Sequence, residues 1–215
     1  MIGLRHLPRR LRLRLVIKKV KPYTLVSPQR LVNLFELAQR VEREQIPGDV
    51  VECGVCNGGS AAVLAHVVAG SRMTRKVWLF DSFQGMPRPT IEDGKAADAY
   101  EGKDVGDIKK VKTVLNKVGA DMGSIRIIAG WYQQTFASVD IDKIALLNLD
   151  ADWYESLKLC LERFYDHVVT GGFISIDDYG YWPGCRRAVD EFLKTRGIAD
   201  SLKRVDETAR WFQKV

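Results

Sequence analysis

Three acidic side chains stand at the ends of two short apolar runs. Ile144-Ala145-Leu146-Leu147-Asn148-Leu149 stops at Asp150, and Phe173-Ile174-Ser175-Ile176 stops at Asp177-Asp178. Between them Leu157, Cys160, Leu161 and Phe164 recur at three- and four-residue steps, the mark of a helix with one apolar face. Gly171-Gly172 is expected to break that helix before the second strand begins. In a strand–helix–strand unit the two strands run parallel, so their C-terminal ends share one edge of the sheet. Asp150 is thereby brought beside Asp177 and Asp178. Three carboxylates at one edge repel, and a hard divalent cation such as Mg²⁺, which accepts an all-oxygen shell, would remove that cost. The competing reading is that these aspartates cap helices or open turns. Asp152 either projects on the same side, if the strand persists, or N-caps the following helix.

A second constellation lies upstream. Asp49 to Cys53 reads as a strand, Gly54-Val55-Cys56-Asn57-Gly58-Gly59-Ser60 as a glycine-rich turn, and Ala61 to Val68 as a helix. Free N–H groups at such a helix start favour an anionic or polar ligand, and glycines let the backbone approach it. The next strand, Val77 to Phe80, ends at Asp81, placed to reach ribose hydroxyls. Together these features point to an adenosine-containing ligand. The turn is neither GxGxxG nor a P-loop, so a dinucleotide fingerprint and a phosphate-binding loop are both absent.

The remaining elements must position these groups. Ser27-Pro28 opens a helix whose stripe is Leu31, Leu34, Phe35, Ala38 and Val41. Ser82 to Asp104 reads as a long loop of the kind that forms lids. A helix over 105–118 and a strand over 124–129 precede the acidic unit. A helix over 182–195 and two short strands near 201–205 and 210–214 close the chain. The alternation predicts an α/β fold: a doubly wound, seven-stranded, mostly parallel, Rossmann-like sheet with an antiparallel C-terminal strand.

Charge is unevenly spread over the 215 residues. Residues 1–21 carry eight of the 33 basic side chains and no acid, so the net +6 becomes −2 without them. The division expected is a basic N-terminal arm, 1–26, and one domain, 27–215. The arm alternates as LRLRLVIKK and reads as a solvated or oligomer-packed segment, or as one that touches anionic lipid. A nucleic-acid partner is not expected, because that needs basic charge over the body. No apolar run reaches the roughly 20 residues that span a bilayer. The arm lacks the small-residue cleavage site of a secretory signal. Cys53-x-x-Cys56 has no second pair or nearby histidine to complete a zinc site, and Cys53 reads as a buried free thiol. A cytoplasmic location is the expectation.

The segments YTLVSPQRL, GDVVECGVCNGGS, FDSFQGMP, LLNLDADWYESL, GGFISIDDYG and GCRRAVDEF resemble the macrocin/mycinamicin/noviose sugar O-methyltransferase family, in the same order, from about Tyr23 to the C-terminus. The resemblance implies a class I fold, S-adenosyl-L-methionine as methyl donor, Mg²⁺, and a hydroxylated sugar or glycoside as acceptor. It implies metal ligation by Asp150, Asp177 and Asp178, and a general base at Asp152. It implies cofactor contacts from Glu52, Gly54, Ser60, Asp81 and Ser82, with Tyr23 and Thr24 folded over the cofactor, and a homo-oligomer assembled through the N-terminal region. Cys56-Asn57 and the stretch from Arg88 to Asp104 depart from the family pattern, which bears on the acceptor. A catechol-type phenolic methyltransferase would use the same aspartates, and a non-catalytic cofactor-binding module is a further alternative.

Overall fold

The computed structural model describes residues 7–198 and 202–215. Seven strands form one sheet in the order β3-β2-β1-β4-β5-β7-β6. These are β1 (Asp49–Cys53), β2 (Val77–Asp81), β3 (Ile125–Ala129), β4 (Ile144–Leu149), β5 (Val168–Ile176), β6 (Lys203–Arg204) and β7 (Arg210–Gln213). The first five are parallel, and β7 runs antiparallel to both β5 and β6. This is the expected Rossmann-like class I architecture.

Side chains alternate across the strands and feed two cores. Val50, Leu79 and Leu146 face a layer made by α1 (Arg9–Val20), α2 (Pro28–Arg43), α3 (Gly59–Val68) and α4 (Ile108–Val118). Val51, Phe80 and Leu147 face the layer containing α5 (Tyr132–Thr135), α6 (Tyr154–Phe164) and α7 (Pro183–Thr195). Every residue of β4 is buried, as a central strand covered on both faces requires.

The arm and the second strand of the acidic unit differ from the sequence reading. Residues 9–20 of the arm are helical, because Leu13, Val16, Ile17 and Val20 fall on one helix face. That spacing prevails over the local alternation. Val16 and Val20 are buried, and α1 packs on α3 and α4. It is thus an outer helix over α3, all ten residues of which are buried. The first six residues of the arm lie outside the described residues.

The second difference concerns Gly171-Gly172. The helix ends earlier, at Phe164, and the glycines lie inside β5, which begins at Val168. Gly171 N–H donates to Lys214 O (2.7 Å) and Gly172 O accepts from Lys214 N–H (2.9 Å). The glycines sit at an irregularity in the β4–β5 register, a place where a strand tolerates them.

Candidate active site

The C-terminal edge of the parallel strands opens into a cleft of about 710 Å³. Tyr23, Thr24, Gly54, Ser60, Asp81, Ser82, Asp150, Asp152, Asp177 and Asp178 all line it. Glu52 does not. It is fully buried below the cleft, where its carboxylate accepts a hydrogen bond from Asn148 Nδ2 at 2.9 Å. Burial pushes it up to about 7, against Ser60 and Asn148, which hold it down. The strand alternation turns Glu52 into the sheet interior, so its place is beneath the pocket rather than in it.

The half of the cleft at β1 and β2 is held by its own hydrogen bonds. Gly54 has φ +89°, and a Cβ there would overlap the Asp150 carbonyl, so β1 and β4 can end side by side only with glycine at this position. Asp81 Oδ2 accepts from Val55 N–H and Cys56 N–H, both at 2.7 Å, and Oδ1 accepts from Phe83 N–H at 2.7 Å. The carboxylate therefore braces the glycine-rich turn. Ser82 Oγ accepts from Gln84 N–H and donates to Gly85 O (3.0 and 3.2 Å). The strap from Tyr23 to Val26 crosses the start of α3, with Thr24 against Gly59. The Tyr23 ring is covered by Lys117 Nζ, 4.8 Å from its centroid.

The other half is acidic. Asp150 and Asp177 extend the ladder, through Asp150 N–H to Cys53 O and Asp177 N–H to Leu149 O (both 2.9 Å). One carboxylate oxygen each from Asp150, Asp177 and Asp178 lie within 4.8 Å of one another. Asp177 and Asp178 are only 7% and 9% exposed, and Asp178 Oδ2 is buried without a hydrogen-bond partner. Burial pushes all three carboxyls up, Asp177 to about 8, and the charge of neighbouring aspartates adds to the shift of Asp150 and Asp177. An orphaned buried oxygen among converging carboxylates fits a hard cation, whose charge would offset their repulsion and whose coordination would satisfy that oxygen.

Asp152 sits at the rim of this cluster. It is not the N-cap of α6, a position that falls to Trp153. Its backbone is left-handed (φ +54°), uncommon for a side-chain-bearing residue, and Oδ1 accepts from Trp182 Nε1 at 3.0 Å. Burial chiefly, and then the Asp178 charge, push its carboxyl up.

Three contributors are not evident from sequence. Arg30, in the first turn of α2, forms an ion pair with Asp177 and reaches Asp206 Oδ2 at 3.4 Å. A cation in a helix's first turn opposes the macrodipole, which was the available signal. Trp182 orients Asp152 and stands against Trp153, Tyr100 and Tyr181, with ring centroids 4.7–5.2 Å away. Asp93, 1% exposed, ties the 82–104 segment down. Its oxygens accept from Tyr154 N–H (2.7 Å), Thr90 N–H (2.7 Å) and Thr90 Oγ (2.9 Å). That segment is consequently not a bare loop but carries 3₁₀ turns at Ile91–Asp93 and Lys95–Tyr100.

Cys53, Cys160 and Cys185 are buried free thiols, and Cys56 is half-buried at the cleft wall. His66 and His167 lie outside the cleft. Among the described residues no helix is long and apolar enough to cross a membrane.

Comparison with known proteins bears on this geometry. The profile of the family described as Macrocin-O-methyltransferase (TylF) matches residues 17–214. Demethyldecarbamoylnovobiocin O-methyltransferase of Streptomyces niveus is 33% identical over 199 residues, 89% of this chain and 76% of that protein. Mycinamicin III 3''-O-methyltransferase of Micromonospora griseorubida is 30% identical over 200 residues, 89% of this chain and 78% of that one. The structure of the O-methyltransferase NovP superposes with a TM-score of 0.83 at 31% identity, covering 90% of this chain and 82% of that one. CalS11, a calicheamicin methyltransferase, shares the fold with a TM-score of 0.70 at 20% identity, over 86% of this chain and 78% of its own.

Proposed function

Because the chain belongs to the macrocin O-methyltransferase (TylF) family and is an S-adenosylmethionine-dependent O-methyltransferase, we propose that its acceptor is a sugar hydroxyl of a glycosylated small molecule and that transfer requires Mg²⁺. The observation that carries the metal reading is the convergence of Asp150, Asp177 and Asp178 with one buried oxygen left unpaired. These three would hold the ion. When bound, Mg²⁺ supplies Lewis-acid polarisation of a hydroxyl and lowers the cost of its deprotonation.

The chain's own residues do the rest. Asp152 takes the hydroxyl proton. Its raised affinity for a proton suits a base, and Trp182 Nε1 fixes one of its oxygens so that the other serves the acceptor. Asp150, its carbonyl against Gly54, joins the acidic half of the cleft to the glycine-rich turn. Asp81 keeps Val55 and Cys56 in place to receive the cofactor, and the surrounding carboxylates favour its cationic sulfonium. Tyr23 and Thr24 form the strap over that side. Fixing both reactants on one sheet edge supplies orientation, worth as much as ~7–11 kcal/mol of a barrier in well-aligned systems.

A phenolic acceptor is compatible with the same aspartates, and the aromatic wall of Tyr100, Tyr181 and Trp182 would stack on an aromatic ring or on a sugar's C–H face. The named activities of the relatives, on demethyldecarbamoylnovobiocin and on mycinamicin III, favour the glycoside. The test is mass spectrometry of glycoside and catechol panels incubated with enzyme and S-adenosylmethionine. A gain of one methyl on a glycoside, abolished by EDTA and restored by Mg²⁺, is expected. Methylation indifferent to chelation would overturn the metal reading, and methylation of catechols alone would overturn the acceptor class.

A further inference from the structure

The two helical layers of the sheet differ in charge. Helices α6 and α7 mix five basic with four acidic residues and pair some of them, as in Arg187–Glu191. Residues 9–21 and α4 do not. Together they hold 11 of the chain's 33 basic residues and none of its 27 acidic ones, leaving 22 bases against 27 acids, a net of −5, elsewhere. Helices α1 and α4 are neighbours, and Lys19 Nζ donates to Lys117 O across their contact at 2.6 Å. On α1, Arg10, Arg14 and Lys18 form one exposed stripe at four-residue steps, and Lys109 and Lys112 are exposed one turn apart on α4. Among the described residues, the ion pair these cations make is Arg9 with Glu36. A solubilising surface intersperses both signs, whereas a single-sign face attracts a polyanion.

Apolar side chains select which polyanion. Leu11, 45% exposed, lies between Arg10 and Arg12. Leu25 and Val105, 79% and 56% exposed, lie just beyond the C-terminus of α1 and just before the start of α4, and both line the cleft rim. Neither helix carries an aromatic side chain on which a base could stack. The apolar face of α1 is buried against the core, so attraction to lipid phosphates is electrostatic, with Leu11, Leu25 and Val105 as the apolar side chains that would meet the headgroup layer. We propose that the α1–α4 face docks the protein onto an anionic lipid surface, with the cleft rim turned toward it.

The experiment is vesicle flotation of the full chain with phosphatidylcholine vesicles and with phosphatidylcholine containing 30% phosphatidylglycerol, at low and high salt. A fluorescent single-stranded RNA runs in parallel by anisotropy. Binding is expected on the anionic vesicles alone and is lost at high salt. The triple variant R10E/R14E/K18E is expected to lower it on the order of 100-fold. A second variant, K109E/K112E, carries the same test on α4. Circular dichroism melting and S-adenosylmethionine affinity report whether each variant still folds. Equal binding to neutral vesicles, no binding to either, tighter binding to RNA than to anionic vesicles, or folded variants that float like the parent would each overturn the proposal.

Discussion

The two halves of the cleft are built on opposite principles. Around the glycine-rich turn, the carboxylate at the strand end is satisfied within the protein: Asp81 alone receives three backbone N–H groups, and the buried oxygens left unpaired are Asn57 Oδ1 in the turn and Glu52 Oε2 below the cleft. Around Asp150, Asp152, Asp177 and Asp178, like charges are crowded, their carboxyls are pushed up, and Asp178 Oδ2 finds no partner. Arg30 offsets part of that charge through Asp177. One half is shaped before any ligand arrives. The other keeps an electrostatic cost that a cation would relieve, which is how a fold can hold strong affinity for an ion at a chosen point.

The comparison breaks most sharply at Asp177. Asp177→Ala is expected to lower turnover at least ~10³-fold, a loss of several kcal/mol of charge stabilisation. S-adenosylmethionine affinity should stay within a few-fold, because its half of the cleft is self-supporting. Kinetics beside calorimetry separate the two, and loss of both together would show that the halves are one unit.

Arg30→Met comes next. Removing one partner of a partly buried pair costs about 3 kcal/mol in chelated protein. The cost should shrink when Mg²⁺ is added. Thermal melts with EDTA and with Mg²⁺ check this, and an equal loss in both would make Arg30 a simple structural tie.

Asp152→Asn is expected to lower kcat about 10²-fold while Mg²⁺ affinity changes little, since the residue is a base rather than a ligand. A matching loss of metal affinity would move Asp152 into the coordination set.

The remaining prediction concerns pH. A carboxyl whose folded-state value is raised adds stability below its ordinary value and loses that contribution as pH rises through the folded value. For Asp177 that window runs from 3.8 to about 8. Chelated protein should therefore lose stability across pH 5–8. Mg²⁺-saturated protein, its carboxylates held ionised by the metal, should show a flatter profile. Parallel profiles would separate the cluster from metal binding.

Much of this arrangement is legible in the chain. Local periodicity locates β4, α6 and the end of β5, and the parallel rule then carries Asp150 to Asp177 and Asp178. The turn at Gly54 and the acid at Asp81 follow in the same way. What escapes is whatever depends on distant partners. Arg30 meets Asp177 across 147 residues, and Trp182 meets Asp152 across 30. No local pattern encodes either meeting. Glu52 is a neighbouring lesson: the position suits a cofactor contact, yet the strand pleat turns the side chain into the interior beside Asn148. Gly171 and Gly172 read as breakers because their pairing with Lys214 is also non-local.

The most direct measurement is calorimetric titration of Mg²⁺ into the chain saturated with S-adenosylhomocysteine, beside the variant D177A/D178A. One ion per chain in the parent and none in the folded variant is the expected result. Binding unchanged in the variant, or none in the parent, would contradict the claim that these aspartates hold the metal.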